Sequence, residues 1–216
     1  MTDLFAAIHD AQPRREDLGA GAVLLRGCVG HDEQALLADL RVIVKAAPFR
    51  HLITPGGHTM SVAMTNCGRV GWVSDSRGYR YDAIDPDSGV AWPAMPASLL
   101  SLAARAAAQC GFDGFAPDAC LINRYKPGAR LTLHQDKDEL DLGAPIVSVS
   151  LGLPAVFQFG GLSRSDPVRR YRLTHGDVVV WGGPSRLAYH GVAPLADGEH
   201  PIMGGQRINL TFRKTR

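Results

Sequence analysis

Two stretches of the chain repeat apolar residues at helical spacing. Over residues 32–47, Leu36, Leu37, Leu40, Ile43, Val44 and Ala47 fall on one stripe. Pro48 ends it, because proline lacks the amide that another turn would need. Over residues 96–110, Leu99, Leu100, Leu102, Ala103, Ala106 and Ala107 form a second stripe, with Ser98 placed to cap its start and Gly111 to end it. Both stripes read as surfaces laid against a sheet. After Gly111 short β-prone runs follow at 119–125, 130–136, 145–151, 155–159, 169–173, 177–181 and 207–213, separated by turn-formers such as Lys126-Pro-Gly and His175-Gly-Asp. This pattern predicts a mainly β sandwich or jelly roll with helices buttressing one face. Residues 50–96, rich in Gly, aromatics and Thr/Ser, read as a strand pair with long loops, set apart from the main sheet.

Composition changes this picture little. With 216 residues, 45% hydrophobic and 20% charged, the chain is sized for one domain with a substantial core. A net charge of +2 selects no partner, since a local basic groove can sit on a near-neutral protein. Cys28, Cys67, Cys110 and Cys120 form no CxxC pair, which argues against a zinc ribbon or a disulfide framework and suits a reducing compartment. No basic region followed by an apolar stretch opens the chain, and no window approaches the roughly 20 apolar residues of a membrane span. The expectation is a cytoplasmic monomer with no membrane association.

The sharpest chemical signal is His134-Gln-Asp136. Residues two apart in a strand face one side, so one strand offers an imidazole and a carboxylate together. His190, after the apolar run 177–181, can supply a third ligand from a neighbouring strand. Two histidines and one carboxylate on one face leave open positions, the arrangement of non-haem iron oxygenases. The doublet alone is weak, since His-x-Asp arises by chance. The run 207–213 strengthens it. Arg207, Asn209, Thr211 and Arg213 lie on one face of that strand and Ile208, Leu210 and Phe212 on the other. If the apolar face packs on the helices, two arginines point inward, where an unpaired charge costs several kcal/mol. A dicarboxylate chelating the metal would neutralise them, its far carboxylate paired bidentately with Arg207. Asn123 and Tyr125 share a face of the run 119–125 and suit the same cosubstrate, or equally the satisfaction of buried backbone groups. In residues 50–96, Trp72, Tyr79 and Tyr81 alternate with Arg69, Arg77 and Arg80, a pattern that stacks unpaired bases and meets phosphates but also packs ordinary loops. Asp138 and Glu139 read either as solvated loop acids or as acceptors for a base amino group.

His134-Gln-Asp136, His190 and Arg207-x-Asn209-x-x-x-Arg213 resemble the motif set of the AlkB-type iron(II)/2-oxoglutarate dioxygenases, which repair alkylated nucleic acid. The similarity covers nearly the whole chain, through runs such as Thr59-Met-Ser-Val-Ala-Met-Thr-Asn-Cys-Gly68, Trp92-Pro-Ala-Met-Pro96, Phe157-Gln-Phe-Gly-Gly161 and His175-Gly-Asp-Val-Val-Val-Trp-Gly-Gly183. The resemblance implies a double-stranded β-helix core over 97–216, a nucleotide-recognition lid over 50–96, and an N-terminal extension with a supporting helix over 1–49. It implies iron(II) on His134, Asp136 and His190. It implies 2-oxoglutarate against Asn123, Arg124, Tyr125, Arg207, Asn209, Thr211 and Arg213, and the substrate nucleotide against Trp72, Tyr79, Arg80, Tyr81, Asp138 and Arg164. With O2 as co-oxidant, the implied reaction hydroxylates the alkyl group of 1-methyladenine- or 3-methylcytosine-type lesions and releases aldehyde, succinate and CO2. The implied partner is alkylated single-stranded DNA, with RNA also accepted. Two positions depart from the family pattern: His58, where an aromatic is expected in the lid, and Ile208, where Tyr is expected on the face turned from the site.

Other readings use some of the same residues. A 2-oxoglutarate hydroxylase of a small molecule or protein side chain would share the core motifs and differ in the lid. A jelly-roll binding module would need no inward arginines, and a zinc hydrolase would give them no role.

Overall fold

The computed structural model describes residues 14–216, so the first part of the expected N-terminal extension lies outside the described residues. The strands are β1 (Arg14–Gly19), β2 (Ala22–Arg26), β3 (Arg50–Ile53), β4 (Thr59–Gly68), β5 (Gly71–Asp75), β6 (Gly78–Asp82), β7 (Ala119–Tyr125), β8 (Leu131–His134), β9 (Ile146–Gly152), β10 (Ala155–Phe159), β11 (Arg169–Leu173), β12 (Val178–Trp181), β13 (His190–Val192) and β14 (Arg207–Arg213). The helices are α1 (Glu33–Ala46) and α2 (Ala97–Gln109). Eight strands form a large sheet in the order β1-β2-β12-β9-β14-β7-β4-β3, four form a small sheet, β11-β10-β13-β8, and β5 pairs with β6 alone.

Each face of the large sheet buries a separate core. The helical stripes of α1 (Leu36, Leu37, Leu40, Ile43) and α2 (Leu99, Leu102, Ala103, Ala106, Ala107) pack on Val147, Val149, Val178, Val180, Ile208, Leu210 and Phe212. Between the two sheets Leu24, Met64, Leu121, Ile146, Val179 and Trp181 meet Ala155, Phe157, Phe159, Leu173 and Val192. β14 therefore splits as its alternation demands: apolar residues toward the helices, the polar set toward the small sheet. Ile208, the departure from the family pattern, lies in the helical core and away from the site.

Three expectations need correction. β2 was hidden in a segment expected to be extension and helix. Val23 and Leu25 face one core and Ala22 and Leu24 the other, so both faces are apolar and no alternation marks the strand. β3 and β4 are not set apart, since β4 pairs with β7 and joins the large sheet; only the β5–β6 hairpin pairs separately. Ser98 does not cap α2. The residue before the helix is Pro96, and the Ser98 hydroxyl donates to Asp39 of α1, joining the two helices. Short β13 escapes notice by length, yet its Gly191 fixes the spacing of the small sheet. A Cβ there would lie 2.7 Å from the Leu131 carbonyl oxygen of β8. Among the described residues no helix is long and apolar enough to cross a membrane.

Candidate active site

The antiparallel pairing of β13 with β8 sets His190 opposite His134, with ring centroids 4.4 Å apart. Asp136 lies two residues beyond the end of β8 rather than within it, so strand parity does not aim its carboxylate. Arg213 does, donating to Asp136 Oδ2 from Nη2 at 2.7 Å and from Nε at 3.1 Å. Asp136 Oδ1 then stands 3.7 Å from His134 Nε2, and Oδ2 stands 3.8 Å from His190 Nε2. One donor atom from each residue lies within 4.8 Å of the others.

Backbone carbonyls fix which ring nitrogen is available. His134 Nδ1 lies 2.8 Å from the Thr132 carbonyl and His190 Nδ1 lies 3.0 Å from that of Ala188. A carbonyl only accepts, so Nδ1 carries the proton and Nε2 presents its lone pair to the centre. Burial, reinforced by His134, pushes His190 down to about 4, which keeps it neutral. Burial alone would favour the neutral acid of Asp136, but Arg213, His190 and His134 outweigh it and hold the carboxyl well below its usual range. Two imidazoles with Nδ1 turned to carbonyls, and one carboxylate, converge as a donor set suited to a divalent transition ion.

The polar face of β14 lies beside this centre. Arg207, Asn209, Thr211 and Arg213 are all buried. The expectation that both arginines await an external anion holds for only one of them. Arg213 is neutralised by Asp136 and by Glu139, whose Oε1 lies 3.3 Å from its Nε. Arg207 is not. Only 1% exposed, it donates Nη2 to Ser150 Oγ at 2.9 Å and lies over the Tyr125 ring at 4.9 Å, while Nε and Nη1 have no partner. Burial lowers its pKa, yet a guanidinium stays charged at any physiological pH. A buried cation with two idle donors fits a carboxylate ligand. Asn123 lies opposite Asn209 across β7–β14 and leaves its own Oδ1 unpartnered, whereas Thr211 donates to Asn209 Oδ1 and Asn209 donates Nδ2 to Ser148 Oγ. Arg124 points the other way, over the Phe49 ring at 4.7 Å, and is not brought to the site.

The β5–β6 hairpin supplies the remaining wall. Val73 anchors it in a small cluster with Ala47 and Trp92. On its opposite face Trp72 stacks on Tyr79 with centroids 5.4 Å apart and donates Nε1 to Asp138 Oδ2 at 2.9 Å. The Tyr81 hydroxyl donates to Glu139. Glu139 is thus no solvated loop acid: it is buried, while Asp138 is exposed. Arg80 is paired with Asp75 inside the hairpin, both guanidinium contacts being 3.0 Å. A cavity of about 310 Å³ opens here between Tyr79, Arg80, Tyr81, Asp138, Leu140 and Thr215. Exposed Arg164 donates to the carbonyl of Leu133, the residue before His134, at 2.9 Å. His58 is exposed, just before β4.

Sequence reasoning missed Arg186, which is buried and bonded to Asp136, Glu139 and Ala144. It sits in a Gly-Pro-Ser-Arg turn with no periodicity, and its proximity in sequence to His190 was its only signal. Trp181, whose ring packs 4.8 Å from that of His190, was read only as part of an apolar strand.

The family model described as the 2OG-Fe(II) oxygenase superfamily matches residues 21–213. The chain is 59% identical over 214 residues to the alpha-ketoglutarate-dependent dioxygenase AlkB of Escherichia coli K12, covering 99% of this chain and 98% of that one. It is 46% identical over 185 residues to an AlkB homolog of Caulobacter vibrioides, covering 85% and 82%. The solved structure of OsALKBH1 superposes with a TM-score of 0.81 at 29% identity, covering 93% of this chain and all of the other.

Proposed function

Because the chain belongs to the 2OG-Fe(II) oxygenase superfamily, as an AlkB-type dioxygenase using iron(II), 2-oxoglutarate and O2, we propose that it removes alkyl groups from the bases of single-stranded DNA and also accepts RNA. The observation that carries the substrate reading is the hairpin's aromatic face. Trp72, Tyr79 and Tyr81 stand over the loop that begins at the metal ligand Asp136, with Asp138 at their edge.

His134, Asp136 and His190 hold the metal through Nε2, a carboxylate oxygen and Nε2. With 2-oxoglutarate and O2, the bound iron supplies an oxidant able to hydroxylate an alkyl C–H bond; the cosubstrate leaves as succinate and CO2, and the hydroxylated N-alkyl group as an aldehyde. The chain's own residues do the placing. Arg207 binds the far carboxylate of 2-oxoglutarate with its idle Nε and Nη1, and Asn123 and Tyr125 line the same side. Trp72 offers a target base the ring face not taken by Tyr79. Asp138 keeps Oδ1 outside its bond to Trp72 and accepts from a base amino group, which favours 1-methyladenine and 3-methylcytosine. Arg164 and the cavity at the hairpin receive the flanking backbone. An unpaired base leaves its stack most cheaply, which favours single strands.

The test is formaldehyde release from methylated single-stranded oligonucleotides, with and without 2-oxoglutarate. Release that requires 2-oxoglutarate is the expected result. Iron-loaded enzyme that released none, yet hydroxylated a free metabolite, would overturn the nucleic-acid reading and leave the metal reading standing.

A further inference from the structure

The segment between β8 and β9 contains no regular structure, yet it begins with the metal ligand Asp136 and carries both contacts of the aromatic hairpin. Trp72 lands on Asp138 and Tyr81 on Glu139. A long unpaired loop keeps one conformation only if its backbone groups find partners elsewhere. One side chain partners two of its carbonyls and one of its carboxylates. Arg186, 3% exposed, donates Nη1 to the Asp136 carbonyl at 2.7 Å, Nη2 to Glu139 Oε2 at 3.0 Å and Nε to the Ala144 carbonyl at 2.9 Å. A single planar guanidinium thus pins the loop at its beginning, middle and end.

The contacts close into a ring. The Asp136 carboxylate binds Arg213, Arg213 reaches Glu139, Glu139 binds Arg186, and Arg186 returns to the Asp136 carbonyl. Two buried cations face two buried carboxylates, so the circuit is neutral as a whole, and each member is stranded if its neighbour is removed. Arg186 touches neither a metal ligand's donor atom nor the space for substrate. Its bonds govern where the Asp136 backbone lies and whether Glu139 is in place to receive the hairpin's Tyr81.

Resting on the metal reading of His134, Asp136 and His190, we infer that Arg186 is a positioning residue that sets the placement of Asp136 and joins it to the seating of the β5–β6 hairpin. Loss of Arg186 loosens the loop from both ends. The metal then binds more weakly and in altered geometry, and the hairpin loses its register over the centre.

The experiment titrates metal-free protein with Co(II) and reads both affinity and the visible absorption of the bound ion, independently of turnover. Arg186→Met strands Glu139, so the decisive variant is Arg186→Met/Glu139→Gln, in which no carboxylate is left unpaired and the amide oxygen still accepts from Tyr81 and Arg213. Expected is a thermal midpoint recovered relative to Arg186→Met, with Co(II) affinity still about tenfold or more below the natural protein, as for other partners behind a metal ligand. The Co(II) spectrum changes, and amides 137–143 exchange faster while those of β8 and β13 do not. Arg186→Lys keeps a charge beside Glu139 but cannot reach both carbonyls, and is expected to fold and bind Co(II) with intermediate affinity. Natural affinity and spectrum in either folded variant overturn the inference. Failure of the unaltered protein to bind Co(II) at all overturns the metal reading beneath it.

Discussion

Among the described residues two pairs of histidine rings lie close together, and they are opposites. His134 and His190 lie 4.4 Å apart by centroid, His175 and His200 4.5 Å. In the first pair each Nδ1 meets a backbone carbonyl, so the proton sits on Nδ1 and Nε2 offers a lone pair. In the second pair each Nδ1 accepts backbone N–H groups. Gly152 donates to His175 at 2.9 Å, and Ile202 and Met203 donate to His200 at 3.3 Å. There the neutral ring must carry its proton on Nε2, and in His175 that nitrogen faces Glu33 at 3.4 Å. The second pair lies nearly parallel, at 10°, and has no convergent lone pairs for an ion. Identical side chains at nearly identical separation therefore differ in chemistry because the backbone around them presents oxygen in one place and N–H in the other.

The largest effect that separates the pairs is loss of metal. His190→Ala, His134→Ala or Asp136→Ala is expected to abolish both Co(II) binding and turnover, whereas His200→Gln retains both. Turnover persisting in any of the first three, in metal-controlled buffer, would falsify the assignment. Arg207 gives the next effect. It pairs with Gly152 across β14–β9, and Gly152 donates to His175, so one backbone position joins the cosubstrate side to the second histidine pair. Arg207→Ala should weaken 2-oxoglutarate binding by about 3–5 kcal/mol if it strands a buried carboxylate. An unchanged apparent affinity would place that carboxylate elsewhere. The same titration on His175→Gln should show a far smaller change.

Trp72→Ala acts on substrate rather than metal. Losing one stacking face should cost about 1–3 kcal/mol, read as a raised Michaelis constant for methylated oligonucleotides. Uncoupled 2-oxoglutarate decarboxylation, which needs only the core residues, serves as the control, and a fall in that rate would show the hairpin acting on the centre itself. The smallest effect concerns acid. Burial and the neighbouring His175 push His200 below its ordinary value, with Glu33 acting in the opposite sense. The unfolded chain thus takes up a proton that the folded one resists. The stability from this group is present above about pH 6.5 and is lost as the pH falls below it. The thermal midpoint of metal-free protein should drop between pH 7.5 and 5.5, and less steeply in His200→Gln. Equal slopes would remove His200 from the account.

What the sequence made legible was whatever alternates. The strict parity of 207–213 correctly separates the helical face from the polar face, and β14 needed no structure to be read. The spacing picked out His134, Asp136 and His190, which the fold brings together, although Asp136 is aimed by Arg213 and not by strand parity. Features made by long-range contact left no pattern. β2 is apolar on both faces, and Glu139 looks like any loop acid until Arg186, Arg213 and Tyr81 surround it. Nor can a sequence state which nitrogen of a histidine carries the proton, because that depends on a carbonyl or an amide delivered by chain folding.

The closeness of β13 to β8 at Gly191 has a consequence for the separation of the two imidazoles. His134 and His190 ride on these two strands, so the interstrand gap acts as a calliper on their bite. A hydrogen in place of a methyl group at residue 191 lets the jaws close to their present width. Any larger residue would put a carbon against the Leu131 backbone oxygen, so the two strands, and the imidazoles they carry, would have to shift. The spacing of the two rings is thus kept in an atom the chain does not have.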